Sequence, residues 1–487
     1  MKIKDLFAGV KAEYRLSEDT EITGIAYDSR KVEKGGVFVC IKGFESDGHK
    51  YISGAAERGA SCALVQKGEN YDDSIIPVIV CDNTREALGK ISANFFGRPA
   101  DKLEIIGVTG TNGKTTTTYM LNSILEKAGK PCGLIGTISY KAGNTVKEST
   151  HTTPESYEIH KMFKEMADCG DKACAMEVSS HALFMDRVDS IVFDYGIFTN
   201  LTEDHLDFHK DFEEYYQAKK KLFYKVWGAG LINIDDEYGE RMYGELKEEG
   251  IRVYSYSAEN PEADYFAEVS YKTDTHSVIK IYHDGNYVAG MRINIPGAFS
   301  VYNALAAFSA AYESGIDAGE IAEGIESIKG VPGRFELVPN DKGVVVIVDY
   351  AHTPDALIKV LDTANEFKKA RLICVFGCGG DRDRTKRPMM GKAAGDRCEY
   401  CIVTSDNPRT EEPGAILDDI EAGISGTDCT YEMIVDRREA IKRAIDIYEP
   451  GDVIIVAGKG HEDYQIIGKE KIHFDDKEVI GEILSQK

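Results

Sequence analysis

From Leu103 onward, short apolar runs alternate with long helical stretches: LEIIGVTG, ACAMEVSS and SIVFDYGIFTN come first. The tail repeats the pattern in GVVVIVDYAHTPD, RLICVFGCGGD, EYCIVTSDNPR and DVIIVAGKGHEDY, each run ending in a polar loop. Runs of this kind show no polar face, so they read as strands buried on both sides, in parallel sheets with helices over both faces. In open α/β sheets, ligands bind in the crevice beyond the carboxyl ends of the strands. The chemistry is therefore expected in the loops that close these runs.

A chain of 487 residues exceeds what one hydrophobic core usually supports, and its length suggests about three domains. Residues 1–98 hold the short runs GGVFVCI, SCALVQ and IIPVIV between turn signals and close on FFGRPADKL, which reads as a small α/β module. A second boundary falls at IKGVPGRFELV, where glycine and proline cluster after the helix-like VYNALAAFSAAYESG. The expected α/β fold thus has an N-terminal module (1–98), a central P-loop-type, mostly parallel sheet domain (99–330) and a C-terminal Rossmann-like domain (331–487).

Charge and cysteine usage narrow the partners. A formal charge of -24 repels a phosphate backbone, so nucleic acid is excluded as a partner, whereas local loops can still hold an anionic nucleotide. The opening MKIKDLFAGVKAEYRL lacks the apolar core of a secretory signal, and no run reaches the ~18 apolar residues of a membrane span. A cytoplasmic, monomeric protein is expected. The 11 scattered cysteines fit reduced thiols better than a disulfide framework. Cys374, Cys378, Cys398 and Cys401 superficially resemble a zinc ribbon, but Cys374 in RLICVFG and Cys401 in CIVTSD sit in apolar runs, which favours buried free thiols.

The run LEIIGVT leads into Gly110, Thr111, Asn112, Gly113, Lys114, Thr115 and Thr116, then into the helical TTYMLNSILEKAG. Strand, glycine loop and helix in this order let backbone amides approach phosphate oxygens at the positive end of the helix. Lys114 is placed to reach the outer phosphates of ATP, and Thr115 to hold Mg2+. A strict Walker loop carries glycine at position 108, where this chain has Val108, so the loop is a variant.

Further signatures follow in order: HTTPES (151–156), MEVSSHAL (176–183), TNLTEDHLDFH (199–209), YNALAA (302–307), GVPGRFE, DYAHTPD, GCGGDRD, DNPR and GKGHEDY. Together they resemble the Mur ligases, ADP-forming amide synthetases of peptidoglycan precursor assembly, over nearly the whole chain. The early YDSRKVEKGGVFVCIKG resembles the uridine-binding segment of the branch that adds the third peptide residue. The resemblance implies an acid–amino-acid ligase that joins meso-diaminopimelate to the D-glutamate of UDP-N-acetylmuramoyl-L-alanyl-D-glutamate through an acyl phosphate.

Residue roles follow from the same resemblance. Thr115, Glu177, His205 and Lys219 are implied as the magnesium set, with Lys114, Glu177, His205 and Lys219 catalytic, and Asn303 and Arg334 join the phosphate loop in holding ATP. In EEYYQAKKKLFYKVW, helical spacing puts Tyr215, Lys219, Leu222, Phe223 and Val226 on one stripe, with Lys220 and Lys221 pointing elsewhere. A lysine on an apolar stripe is partly desolvated, which favours its neutral amine. The resemblance then implies a carbamylated Lys219; the plainer reading is a snorkelling lysine.

Tyr27 and Ser29, with the GFESDGH loop, are implied to meet the uridine nucleotide. Thr152, Thr153, Ser179 and Arg187 match positions that hold the muramoyl dipeptide, Arg187 by pairing with anionic oxygens. Met185 stands where the family often has glutamine. In SDNPR, Asn407 and Pro408 make a turn signal, and Arg409 offers a planar fork to a carboxylate. Meso-diaminopimelate has a second carboxylate at its far end and lysine has none, so arginine there favours the former. Arg382, Asp406, Asn407, Pro408, Gly458 and Glu462 complete the implied pocket, Glu462 pairing with the distal ammonium. The alternatives are the lysine-adding ligase, a folylpolyglutamate synthase and a non-catalytic nucleotide-binding protein. GCGGDRD lacks the third glycine of a dinucleotide fingerprint.

Overall fold

A computed structural model describes residues 1–43, 46–206, 208–273 and 275–486. The chain forms two compact units, one of Met1–Thr109, Gly129–Ile197 and Ala218–Gly230, the other of Gly110–Ala128, Phe198–Gln217 and Leu231–Lys487. Both are α/β.

In the first unit, the runs read as strands near the N terminus form a five-stranded sheet in the order Ala12–Tyr14, Val78–Cys81, Cys62–Gln66, Val37–Val39, Ile25–Ala26. Its neighbours are parallel except for the first, edge pair. Apolar cores cover both faces, one around Leu64, Leu88 and Ile91 and one around Phe38, Ile52 and Val65. The helix Thr84–Phe95 starts where the Asn83 side chain accepts from the amides of Arg85 and Glu86 at 3.0 and 3.3 Å. The same unit carries the parallel strands Glu104–Thr109, Ala173–Glu177 and Cys132–Ile135, continued by the antiparallel ribbon Ser139–Ala142 and Thr145–Glu148. Gly107 is small for a reason: a Cβ there would lie 2.8 Å from the Phe193 ring and 3.3 Å from Leu222.

In the second unit, the helices Lys114–Lys127, Ala298–Glu313 and Ala318–Ser327 pack together, Gly324 lying against the backbone of Ile124. Four strands here depart from the buried-run pattern. Val253–Ser257 pairs parallel with Tyr265–Lys272, and Ser277–His283 and Asn286–Ile293 complete an antiparallel ribbon. Ser277–His283 buries alternate residues, as a strand with one wet face should, and turns through Asp284 and Gly285, both at positive φ.

The tail folds as its apolar runs require. The sheet order is Glu336–Leu337, Val346–Asp349, Val453–Ala457, Leu372–Phe376, Tyr400–Val403, Thr430–Met433, parallel apart from the short first strand. Helices Pro354–Asn365, Lys386–Gly395 and Pro413–Ile424 supply one apolar layer, and Arg437–Asp446 and Asp476–Ser485 the other. Cys374 and Cys401 sit opposite one another on neighbouring strands, buried with Cys378 and Cys398 in the first layer. The carboxyl ends of four strands deliver Asp349, Gly377, Ser405 and Gly458 to one edge.

Candidate active site

The phosphate loop is built on positive-φ backbone. Gly110 (φ 145°) and Gly113 (φ 91°) adopt conformations that side chains disfavour, and a Cβ would strike the Thr199 hydroxyl at the first and the Asn303 amide at the second. Gly113 stands at the N-cap of the helix Lys114–Lys127 and gives it no side-chain cap, and a helix N-terminus of this kind favours an anion. Lys114 Nζ donates to the carbonyls of Gly110 (2.8 Å) and Thr111 (2.7 Å). The Thr111 amide donates to the Asn200 carbonyl at 2.8 Å, and its hydroxyl lies 3.1 Å from the Tyr215 hydroxyl. Asn112 donates to Asp355 Oδ2 at 2.9 Å, which also accepts from Lys359.

Beside this loop lies a cavity of about 400 Å³ lined by Asn112, Gly113, Thr116, Asn303, Arg334 and Tyr350, among others. Arg334 donates Nη2 to Thr115 Oγ1 at 3.0 Å and its guanidinium lies 4.7 Å from the Tyr350 ring centre. Its buried Nε has no hydrogen-bond partner among the described residues. Burial pushes the Asp349 carboxyl up, while Arg334 and the amides of Phe335 and Ala351 oppose that rise. Of the residues expected to hold nucleotide, Asn112, Gly113, Thr116, Asn303 and Arg334 line this cavity, and Thr115 is tied to it through Arg334.

His205 stands in the left-handed region (φ 57°), with Nε2 at 3.3 Å from Asp204 Oδ2. Burial raises the Asp204 carboxyl, but the nearby His205, His352 and Lys386 outweigh it and hold the carboxylate below its ordinary range. Lys386 Nζ donates to the His352 carbonyl at 3.1 Å. Asp204, His352 and Lys386, all half-buried, were not anticipated as site residues; only their convergence from three separate segments marks them. Asp207, in the same DHLDFH motif, lies outside the described residues.

In the first unit, Glu177 ends its strand 1% exposed and accepts from both the amide and the hydroxyl of Thr137, at 2.8 and 2.9 Å. Thr152 Oγ1 lies 3.0 Å from that hydroxyl. Thr153 donates to the Glu177 carbonyl (2.9 Å) and accepts from the Ser179 amide (3.0 Å). Ser179 caps the helix Ser180–Phe184 by accepting from the Ala182 amide. Arg187 donates Nε to Glu155 at 2.7 Å and Nη1 to the Thr153 carbonyl at 3.0 Å, and Arg85 shares the same Glu155 oxygen. The expected dipeptide residues Thr152, Thr153, Ser179 and Arg187 are therefore one network around Glu177. Met185, half-buried, ends the short helix that Ser179 begins.

Lys219 is 1% exposed, and Tyr215, Leu222 and Phe223 are also buried, as the stripe requires. Lys220 departs from expectation: it too is buried, its ammonium 5.7 Å from the Tyr224 ring centre, while Lys221 is exposed. The helix ends at Lys220 and tightens into a 3₁₀ turn over Lys221–Lys225, so 3.6-residue spacing fails there. Tyr27 hydrogen-bonds Glu158 and burial pushes its hydroxyl up. Ser29 opens the 3₁₀ turn Ser29–Lys31, capped by Asp28, whose carboxyl the Arg30 guanidinium lowers to about 2. Of the GFESDGH loop, Phe44 and Glu45 lie outside the described residues. Glu177 and Lys219 belong to one unit, Thr115 and His205 to the other.

The tail gathers the expected amine-donor residues. Asp406, Asn407 and Pro408 are buried, and Arg409 takes positive φ (51°). Asn407 donates Nδ2 to Glu462 Oε2 at 2.9 Å and accepts from the Ile466 amide at 2.9 Å. Arg409 Nη1 donates to the Gly380 carbonyl at 2.7 Å, and the Gly380 amide donates to the Asn407 carbonyl at 2.9 Å, so the GCGGDRD loop packs on the DNPR turn. Arg382 is exposed on that loop. Gly458 (φ 114°) leaves room for Asp406 Oδ2, which a Cβ would meet at 2.5 Å. Lys459, fully buried and not anticipated, donates to Glu462 Oε2 at 3.1 Å.

Comparison with known proteins gives a consistent frame. Three family models match in succession: "Mur ligase family, catalytic domain" over 21–96, "Mur ligase middle domain" over 108–311 and "Mur ligase, glutamate ligase domain" over 333–460. The UDP-N-acetylmuramoyl-L-alanyl-D-glutamate--2,6-diaminopimelate ligase of Clostridioides difficile (strain 630) is 49% identical, with 100% of each chain covered. A solved structure of a ligase of that name superposes with a TM-score of 0.69 at 30% identity, covering 100% of this chain and 99% of that one. A MurF ligase from Thermotoga maritima in complex with ADP shares the fold, with a TM-score of 0.61 at 17% identity over 96% of this chain and 97% of that one.

Proposed function

Because the chain belongs to the Mur ligase family, we propose that it joins meso-diaminopimelate to the D-glutamate of UDP-N-acetylmuramoyl-L-alanyl-D-glutamate, converting ATP to ADP and phosphate. The three matched segments support reading it as three domains, 1–98 for the uridine nucleotide, 99–330 for ATP and 331–487 for the amino acid. The reaction is assigned to a monomeric chain in the cytoplasm, where ATP is made. Among the described residues no helix is long and apolar enough to cross a membrane.

Joining a carboxylate to an amine in water is uphill, so the D-glutamyl carboxylate first attacks the γ-phosphorus, forming an acyl phosphate and releasing ADP. The amine of diaminopimelate then attacks the acyl carbon and phosphate leaves with the former carboxylate oxygen. Such transfer depends on positioning and on neutralising charge. Residues 110–116 wrap the phosphates, Lys114 moves from the loop carbonyls to the outer phosphates, and Asn303 and Arg334 hold the nucleotide from the side. Thr115, Glu177, His205 and a carbamylated Lys219 are the residues assigned to Mg2+; taken singly, their hydroxyl, carboxylate, imidazole and carbamate groups are mostly oxygen donors of the kind Mg2+ accepts. When bound, Mg2+ would neutralise charge developing on the transferred phosphoryl group.

Tyr27 and Ser29 take the uridine end, and Thr152, Thr153, Ser179 and Arg187 the muramoyl dipeptide. Arg382, Asp406, Asn407, Pro408, Arg409, Gly458 and Glu462 take the amino acid. The observation that supports the donor assignment is the DNPR turn tied to Glu462 through Asn407 at 2.9 Å, with Arg409 in the same turn donating to the Gly380 carbonyl. Phosphate release is the test, measured with ATP, Mg2+ and the UDP-linked dipeptide in the presence of meso-diaminopimelate or lysine. Turnover with diaminopimelate well above lysine is expected; preference for lysine overturns the donor assignment, and turnover with neither overturns the ligase reading.

A further inference from the structure

The DNPR turn and the GKGHE loop are far apart in sequence, and their separation in space decides whether the two ends of a diamino diacid are met at once. Each loop follows a strand, Tyr400–Val403 or Val453–Ala457, and these strands are not neighbours: Leu372–Phe376 lies between them. No strand-to-strand hydrogen bond can therefore set the spacing of the two loops. Asn407 ties the two loops to each other through Glu462 at 2.9 Å, and a side chain that reaches the base of both could fix them where they leave the sheet.

Arg437 does reach both. It is 1% exposed at the start of the helix Arg437–Asp446 and holds Asp476, which is fully buried, through two hydrogen bonds, Nε to Oδ1 at 2.8 Å and Nη2 to Oδ2 at 2.7 Å. Two further N–H groups go to carbonyls, Nη1 to Ser405 at 3.4 Å and Nη2 to Ala457 at 3.1 Å. Ser405 directly precedes Asp406, and Ala457 directly precedes Gly458. One guanidinium thus bridges the last residues before both pocket loops, and Asp476 fixes its plane. The planar fork is what permits this; a lysine ammonium in its place could satisfy Asp476 but could not span both carbonyls as well.

We infer that Arg437, held by Asp476, is a positioning residue that sets the distance between the DNPR turn and the GKGHE loop and thereby selects the amine donor. The inference rests on the diaminopimelate-adding reading above. Its consequence is specific: loosening the clamp impairs recognition of the diamino acid and leaves the phosphate loop and the dipeptide network untouched, since neither contains Arg437 or Asp476.

The test is steady-state kinetics of the full chain, varying ATP, the UDP-linked dipeptide, diaminopimelate and lysine in turn. Two variants are compared with wild type, Arg437→Lys and the double replacement Arg437→Met with Asp476→Leu. A buried ion pair exchanged for apolar residues of similar size often keeps or gains stability, and thermal melting identifies the variant that has folded. Loop displacement on the ångström scale commonly costs 10- to 100-fold, so KM for diaminopimelate should rise roughly 10- to 100-fold in either folded variant. KM for ATP and for the dipeptide should stay within twofold, and preference over lysine should shrink. An unchanged KM for diaminopimelate in a folded variant, or all three KM values rising together, overturns the inference. Wild-type preference for lysine would overturn the donor assignment instead, so the two failures are distinguishable.

Discussion

Arg334 shows how one side chain is committed twice. It donates to Thr115 at 3.0 Å while its buried Nε has no partner among the described residues, an arrangement that makes sense if an anion arrives in the cavity it lines. Arg334→Met should lower kcat/KM for ATP by roughly 100-fold, the scale of losing one well-placed charged donor; a loss under threefold in steady-state assays would contradict that role. Lys219 is the second residue-scale case. Buried at 1% exposure, it should lose activity by at least roughly 1000-fold as Lys219→Ala, and added short carboxylates such as formate should restore part of it. Wild-type turnover in the alanine variant would end the carbamate proposal. Lys219 was legible in the sequence because an apolar stripe at helical spacing ran through it. The same reasoning applies to Arg437, whose helix buries Ala440, Ile441, Ala444 and Ile445 on the same face. Its cation on an apolar stripe is the one signal the sequence offers, because the helix carries no motif.

Elements explain why position 113 of the phosphate loop tolerates no side chain. The glycine at 113 combines a left-handed backbone with contact to Asn303 on the helix Ala298–Glu313, so two causes act at one position. Gly113→Ala should cost about 1 kcal/mol or more of stability from the backbone alone, read from the denaturant midpoint. Pairing it with Asn303→Ala should recover the steric part of that loss, and ATP hydrolysis linked to ligation should stay low. Full recovery of activity in the double variant would show that neither residue matters to the nucleotide. Further elements depended on contacts that local pattern does not display. Arg387, fully buried, holds Glu411 and Asp419 and donates to the Gly379 carbonyl at 3.3 Å, fastening the GCGGDRD loop to the segment after DNPR. The helical reading of 215–226 failed after Lys220 because the chain tightens there into a 3₁₀ turn that buries Leu222 and Phe223.

At the scale of the whole molecule, buried histidines should govern acid stability. Burial lowers His160 to about 4, and His461 to about 3 with help from Arg334, Lys477 and Lys459. Both lie below the unfolded value near 6.5, so between roughly pH 6.5 and the folded value the unfolded chain binds a proton that the folded chain does not. Stability should therefore fall as pH drops through that window, by at most about 1.4 kcal/mol per pH unit for each histidine. Denaturant midpoints at pH 7 and pH 5 check the sign, and His160→Gln should flatten the slope. An unaltered slope in that variant would remove His160 from the account.

What the sequence determined by itself was whatever chemistry acts over a few neighbouring residues. Apolar runs read as strands covered on both faces, GTNGK as a glycine loop between strand and helix, and DNPR as a turn after a buried strand. Those constraints are local because sterics and hydrophobic periodicity act between near neighbours. Only the tertiary structure decided which distant groups meet. Arg334 reaches Thr115 across 219 positions, Asn112 reaches Asp355 across 243, and Arg437 finds Asp476 and two carbonyls on strands that are not adjacent. A buried charge needs a partner, but its letter does not say where the partner is, because packing of whole elements brings the two together.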